Sequence, residues 1–376
     1  MSDKPTLVSG IQPSGNLHIG NYLGAVKNWV DLQESGDYSC IFFIADYHTL
    51  TTEMGPEKRR KQIHKTAAEL IAAGIDPKKS LFFIQSEVPE HTELKWIFDC
   101  VTSVGSLQRM TQFKQKTGFD GVEVFEKAWN QAVESTEGNY EKVKNKAPSN
   151  LSSETISSFL SSLMRLRSGK SGLLTYPVLQ AADILLYHGE TVPVGEDQVQ
   201  HLELTRDIAR KFNNRFGTDY FPEAEPELTE TPRVKSLRKP ESKMSKSKGA
   251  DHVIELADEP NVIEEKVKKA VTATEGGGED IAPGVKNLLL LLEKFGDDDT
   301  YEEYLEKEKS GEIKYGYLKQ EVSSAVADYF AEFRERRAEL LEDRDRLAEI
   351  LLEGSKQAQE IASNTIEEVR ELVGVR

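Results

Sequence analysis

The chain is poor in cysteine, in long apolar runs and in net positive charge, and each shortage narrows what it can be. Only two cysteines occur among 376 residues, Cys40 and Cys100. Neither stands in a spacing that suits zinc, so a disulfide scaffold and a structural metal are both excluded as organising devices. Each lies in an apolar pattern, and the expectation is two buried thiols in a reducing cytosol. No apolar stretch approaches the ~20 residues that cross a bilayer, and the cluster Leu288–Leu292 is far too short. Met1–Pro5 does not read as a charged-then-apolar signal sequence. The expected location is therefore cytoplasmic, without a membrane partner.

A net charge of −16 offers no basic whole for a polyanion. A nucleic-acid partner would have to be met by a local basic patch working against the overall field. Internal repeats are absent. What remains is an ordinary globular composition, 38% hydrophobic and 30% charged, in a chain long enough for two or three domains with a sizeable core.

Strand and helix alternate through the first half. Residues 6–9 read as a buried strand, and the glycine-rich stretch Ser9–Gly24 follows it. Ile19, Leu23, Val26 and Val30 then recur at helical spacing through 32. Cys40–Ala45 is a near-continuous apolar strand ending in the polar Asp46, Tyr47 and His48. A helix over 56–73, a strand over 81–84, a helix over 91–102 and helical spacing over 105–116 come next. The pattern predicts an α/β fold with a Rossmann-like, doubly wound parallel sheet.

From 117 to 170 the chain is polar and serine-rich. It reads as an insert of two helices joined by a mobile link near 145–150. Leu173–Tyr187 resumes the core as a helix with Pro177 in its first turn. A strand over 191–194 leads into Gly195–Gln198 and a long helix to about Phe212. Residues 217–232 read as a Pro- and Glu-rich loop. Beyond Asp251 only helical patterns remain, over 261–271, 286–295, about 318–353 and 355–373, with breaks at 276–278 and 297–299. The expected division is a catalytic domain over 1–250 and an all-helical domain over 251–376.

Four polar groups sit at turns or on an apolar face. Gln12–Asn21 is a glycine-bearing loop leading into a helix, suited to an anion or nucleotide because bare backbone N–H groups are accessible. Lys243–Ser247 is a cationic loop suited to a polyphosphate. Gly195–Gln198 offers carboxylates to ribose hydroxyls. Tyr176, Gln180 and Asp183 form a polar trio on an apolar helix. Plainer alternatives exist: a glycine turn can be only a turn, a Lys/Ser loop only solvated, and Gly-Glu-Asp only a helix start. Asp183 resists such a reading. Between Ala181, Ala182, Ile184 and Leu185 its carboxylate needs a ligand or a structural partner. Walker spacing is missing, and a glycine turn with lysines on a separate loop suits attack on the α-phosphate of ATP, where cations follow charge onto pyrophosphate.

These residues also carry a resemblance. His18-Ile-Gly-Asn21 and Lys243-Met-Ser-Lys-Ser247 resemble the two signatures of class I aminoacyl-tRNA synthetases. Ser9-Gly-Ile-Gln-Pro-Ser-Gly15, Arg109-Met-Thr-Gln-Phe-Lys114, Thr175-Tyr-Pro177, Ala181-Ala-Asp-Ile-Leu185 and Val192-Pro-Val-Gly-Glu-Asp-Gln198 are similar to the bacterial tryptophanyl branch. The similarity covers most of 5–275 outside the insert and, more loosely, the helical tail. It implies a two-step ligase: tryptophan and ATP, accompanied by Mg²⁺, give tryptophanyl-adenylate and pyrophosphate, and the acyl group then passes to tRNA(Trp). It also implies a homodimer, an anticodon-reading helical domain, no DNA partner and no protein-bound structural metal.

By motif match, ATP would be held by Gln12, Pro13, Ser14, His18, Gly20, Asn21, Gly195, Glu196, Asp197, Val234, Lys243, Met244, Ser245, Lys246 and Ser247. Lys114, Lys243 and Lys246 would bear on the phosphates. Tryptophan would be bound by Val8, Gln12, His48, Tyr176, Gln180, Asp183 and Gln198, with Asp183 accepting the indole N–H. Asn21 stands where many class I enzymes have histidine, as is usual in this branch. Gln180 departs from the methionine common there. Together with Tyr176 and Asp183 it resembles the spacing with which tyrosyl enzymes read a phenol, so tyrosine is the runner-up substrate. A non-charging regulatory paralogue and a small-molecule adenylyltransferase are the readings from other classes. The insert is longer than the family's usual connection.

Overall fold

The structure, a computed structural model, describes residues 4–117, 170–195, 198–228, 232–272 and 281–375. The expected helices and link of the 117–170 insert lie outside the described residues from 118 to 169.

Five parallel strands build one sheet in the order β3-β2-β1-β4-β5: β1 (Thr6–Ile11), β2 (Ser39–Ile44), β3 (Leu81–Ile84), β4 (Thr191–Val194) and β5 (Glu225–Leu228). β1 and β2 run in register from Thr6 opposite Ser39 to Ile11 opposite Ile44. β2 is buried from Cys40 to Ile44, which is why it reads as an unbroken apolar run rather than an alternating one. Parallel neighbours need crossovers, supplied here by helices Lys27–Ser35 and Pro56–Ala72. The strand order turns at β1 and β4, so their carboxyl ends flank the switch point where such sheets hold ligands.

Four expectations are corrected. β5 occupies part of the stretch read as loop: it is an edge strand with β4 as its neighbour, so Pro226 and the acidic residues around it are tolerated there. Pro177 lies inside helix Ser171–Leu185, not in its first turn. The helix starts six residues earlier, and its buried face outweighs the bond that the proline ring removes. The break expected at Asp297–Asp299 falls at Gly296–Asp297, between helix Pro283–Phe295 and helix Asp298–Lys309. The Asp297 carboxylate accepts the Thr300 N–H at 2.8 Å and so caps helix Asp298–Lys309. Cys100 is exposed, in a turn after helix Glu90–Asp99, whereas Cys40 is buried in β2, which pushes its thiol up to about 11.

The tail boundaries shift as well. Helices Tyr315–Tyr329 and Ala331–Glu342 precede one long helix, Arg344–Val373, which runs straight through Gly354. That glycine is a contact rather than a break. A Cβ on it would stand 1.9 Å from the Phe82 carbonyl oxygen, so the helix can lie on β3 only because none is there.

By contact the chain forms two compact units. The first gathers described residues of 1–90, 186–199 and 224–376, and the second those of 91–185 and 200–223. The helices beyond 250 therefore share a unit with the sheet. Ala331–Glu342 packs on Pro56–Ala72, and Tyr315–Tyr329 packs on Pro260–Lys268 and Pro283–Phe295. In the second unit Phe98, Phe212 and Phe221 form an edge-to-face cluster. Among the described residues no helix is long and apolar enough to cross a membrane.

Candidate functional site

In the first unit the glycine-rich loop leaves β1 at the switch point. Its glycines divide by role. A Cβ on Gly10 would lie 2.4 Å from the Phe43 ring, so this glycine serves sheet packing. Gly15 faces the Lys246 ammonium, whose Nζ would be 3.2 Å from such a Cβ. Gly20 faces the His18 ring and, at 3.7 Å, Cβ of Met244. The Ser14 N–H donates to the Gln12 carbonyl at 2.8 Å, closing a tight turn around Pro13.

His18 caps the helical turn Ile19–Asn21. Its Nδ1 accepts the Asn21 N–H at 3.2 Å, while Oδ1 of Asn21 accepts the His18 N–H at 3.3 Å. The ring is buried. Burial, then the charge of Lys246, holds its pKa down to about 4, with Lys243 adding to the effect and Glu255 opposing it. His18 is thus neutral at neutral pH, as an accepting Nδ1 requires. A π-helical turn, Tyr22–Val26, follows before the regular helix resumes.

The lysine loop closes on this structure. The Met244 N–H donates to the Val234 carbonyl at 3.1 Å, both side chains are buried, and Lys243 bridges to Lys235. Ser245 precedes the short turn Lys246–Lys248. Nζ of Lys246 lies 3.8 Å from Oε1 of Glu255, and burial holds its pKa below the usual lysine value against the pull of Glu255 and Glu69.

Residues 254–256 zip the two loops together. The Ile19 N–H donates to the Ile254 carbonyl and the Leu256 N–H to the Leu17 carbonyl, each at 3.0 Å, and Asn16 donates to Glu255. Sequence reasoning missed Glu255, which nothing in its local context separates from an ordinary surface carboxylate, and also Glu69, although its neighbours Ala67, Ala68, Leu70 and Ile71 carry the same signal as those of Asp183.

Other expected residues of this unit fall at strand ends or within β1. Nε2 of Gln12 donates to the His48 carbonyl at 3.3 Å. Val8 is fully buried within β1. The Gln198 N–H donates to the Gly195 carbonyl at 2.9 Å, while Glu196 and Asp197 lie outside the described residues.

The second unit holds the polar trio. Asp183 is buried, and its Oδ1 stands 2.7 Å from Nδ1 of His91, which is itself buried. This histidine, 92 positions away, is the structural partner that the apolar neighbourhood demanded. The Tyr176 hydroxyl lies 2.7 Å from Nε2 of His201 and donates to Oε1 of Gln112 at 2.9 Å. Burial pushes this phenol up to about 12, and the Lys116 ammonium sits 5.7 Å from its ring centre. Gln180 is half-buried on the same helix. Lys114 stands on helix Thr111–Thr117, close to Gln112 in sequence.

The family model for class I tRNA synthetases (W and Y) matches residues 1–331. A tryptophan–tRNA ligase of Clostridium tetani is 39% identical over 99% of this chain and 96% of its own length. That of Wolinella succinogenes is 40% identical, covering 99% of each. Among solved structures, the tryptophanyl-tRNA synthetase of Campylobacter jejuni complexed with ADP and tryptophan superimposes with a TM-score of 0.75. It is 32% identical, over 98% of this chain and 100% of that one.

Proposed function

Because this chain belongs to the class I tRNA synthetases that serve tryptophan and tyrosine, we infer from its site how it works as a tryptophan–tRNA ligase. It activates L-tryptophan with ATP and transfers it to tRNA(Trp). In the first step a carboxylate oxygen of tryptophan attacks the α-phosphorus. The bond to the β-phosphate oxygen breaks, and pyrophosphate leaves with the electron pair. In the second, a ribose hydroxyl of the tRNA end takes the acyl group, and AMP departs.

The observation that carries this reading is the meeting of the two loops: the Lys246 ammonium stands against Gly15, and the charges of Lys243 and Lys246 reach His18. A positioned cation facing bare backbone fits a polyphosphate whose charge grows on the leaving side. We assign Lys243, Lys246 and Lys114 to the phosphates. Gly20, Asn21, Val234 and Met244 are assigned to the nucleoside, with Gln12, Pro13, Ser14 and His18 lining the same pocket and Ser245 and Ser247 on the lysine loop. Gly195, Glu196 and Asp197 are assigned to the ribose side. Mg²⁺ enters with ATP as part of that substrate.

For tryptophan, Asp183 is the specificity group. A carboxylate accepts only and has acceptor capacity beyond the one contact with Nδ1 of His91, so it suits a donor-only group such as the indole N–H. Val8, Gln12, His48, Tyr176, Gln180 and Gln198 complete that assignment. The helices beyond 250 are assigned to anticodon reading, the active form to a homodimer and the compartment to the cytoplasm.

ATP–pyrophosphate exchange by the purified protein, followed by charging of tRNA(Trp), tests the reading. Exchange stimulated by tyrosine and not by tryptophan would overturn the choice of amino acid. Exchange without charging would favour the adenylyltransferase reading, and neither activity the regulatory paralogue.

A further inference from the structure

Glu69, on helix Pro56–Ala72, has no part in the roles assigned above, yet it is 1% exposed. Its Oε2 accepts the backbone N–H of Leu17 at 2.7 Å, and its Oε1 accepts Nε–H of Arg337 at 3.1 Å. Leu17 immediately precedes His18, and its carbonyl receives the Leu256 N–H. Arg337 comes from helix Ala331–Glu342, which packs on Glu69's own helix. One buried carboxylate therefore joins the ATP loop, the helix after β2 and the C-terminal helical layer.

Burying such a charge is costly unless it is paired and hydrogen-bonded, and an apolar residue would fill this helix face without that cost. Arg337 and the Leu17 N–H are the groups that make the charge tolerable here. Lys65 and Lys246 also bear on it electrostatically.

We propose that Glu69 is a positioning residue for the ATP loop, holding Leu17 and hence the His18 cap in register, and that Arg337 keeps it anchored there. Seating of the helical layer on Pro56–Ala72 is thereby transmitted to the nucleotide side of the site through a single ion pair. This rests on the loop being the ATP loop of the ligase reading.

Tryptophan-dependent ATP–pyrophosphate exchange, with tryptophan affinity measured separately by calorimetry, provides the test. Arg337→Met leaves the carboxylate without its arginine. It is expected to worsen the KM for ATP, or kcat, by about tenfold while tryptophan affinity stays within about twofold, since displacing the loop degrades alignment with ATP. In the double variant Glu69→Gln with Arg337→Met, a neutral amide oxygen can still accept from Leu17 and needs no cation. The ATP parameters are then expected to recover to within about threefold of wild type. An Arg337→Met protein that melts earlier but keeps wild-type ATP parameters overturns the proposal, as does a double variant no better than the single one.

Should Arg337→Met not fold, Glu69→Leu asks the same question. It removes the acceptor for Leu17 without burying an unpaired charge. A raised KM for ATP supports positioning, and an unchanged one refutes it. If the wild-type protein itself shows no exchange, the ligase reading fails, and that outcome is separate from any difference between variants.

Discussion

Nδ1 of His91 and Oδ1 of Asp183 are 2.7 Å apart, with both side chains buried among apolar neighbours. Histidine thereby fixes which carboxylate oxygen faces which way, and under the proposed assignment of Asp183 to tryptophan the amino-acid side of the site would inherit that orientation. Asp183→Ala is expected to weaken tryptophan binding by about tenfold or more, as loss of a buried hydrogen-bond partner does. His91→Ala, which removes one partner of a buried carboxylate, is expected to cost about 1–3 kcal/mol of stability as well. Equilibrium dialysis with labelled tryptophan and urea unfolding give the two readings. Wild-type affinity in both variants would leave the pair a purely structural one.

Lys246→Ala should separate chemistry from binding. The ammonium lies against Gly15, and in the proposed role its work would be greatest when charge moves onto pyrophosphate. Adenylate formation in a single turnover is expected to slow by about 10²-fold, with tryptophan affinity almost unchanged, because a contact made mainly in the transition state leaves ground-state binding alone. Equal losses in both would remove the assignment.

His18 should make the fold acid-sensitive. Its pKa in the folded protein is about 4, below the ordinary 6.5, so the neutral ring is the form the fold prefers. That contribution is complete above pH 6.5 and is lost as pH falls from 6.5 towards 4, amounting to about 3 kcal/mol at most. His18→Asn keeps a residue able to cap but cannot titrate. Urea midpoints of variant and wild type are expected to converge between pH 7.5 and pH 4.5. Midpoints that fall in parallel would show that other groups dominate.

Gly354→Ala tests the seat of the long C-terminal helix by sign alone. In an exposed helix interior this change gains up to about 1 kcal/mol. Here the added Cβ would stand 1.9 Å from the Phe82 carbonyl oxygen, so the expected effect is a loss of roughly 3 kcal/mol. A neutral or stabilising result in chemical denaturation would mean that the helix moves off β3 freely.

Much of the architecture was legible because its signals are local. The strand read over Cys40–Ala45 is found as Ser39–Ile44, and Leu81–Ile84 is found where its apolar run places it. The errors came where tertiary contact overrode a local cue. Pro226 argued for a loop, yet at a sheet edge its missing N–H costs little. Gly354 argued for a helix end, yet it marks the point where helix meets strand.

The amino-acid sequence alone determined the alternating strand–helix order, the glycine loop after β1, the lysine loop and the need of Asp183 for a partner, since each follows from neighbouring residue types. Only the tertiary structure decided who the partners are. His91 reaches Asp183 across 92 positions, Glu69 reaches Leu17 across 52, and Arg337 reaches Glu69 across 268. The physical reason is that a buried polar group must be satisfied, but the chain can bring its satisfying group from anywhere that packing allows.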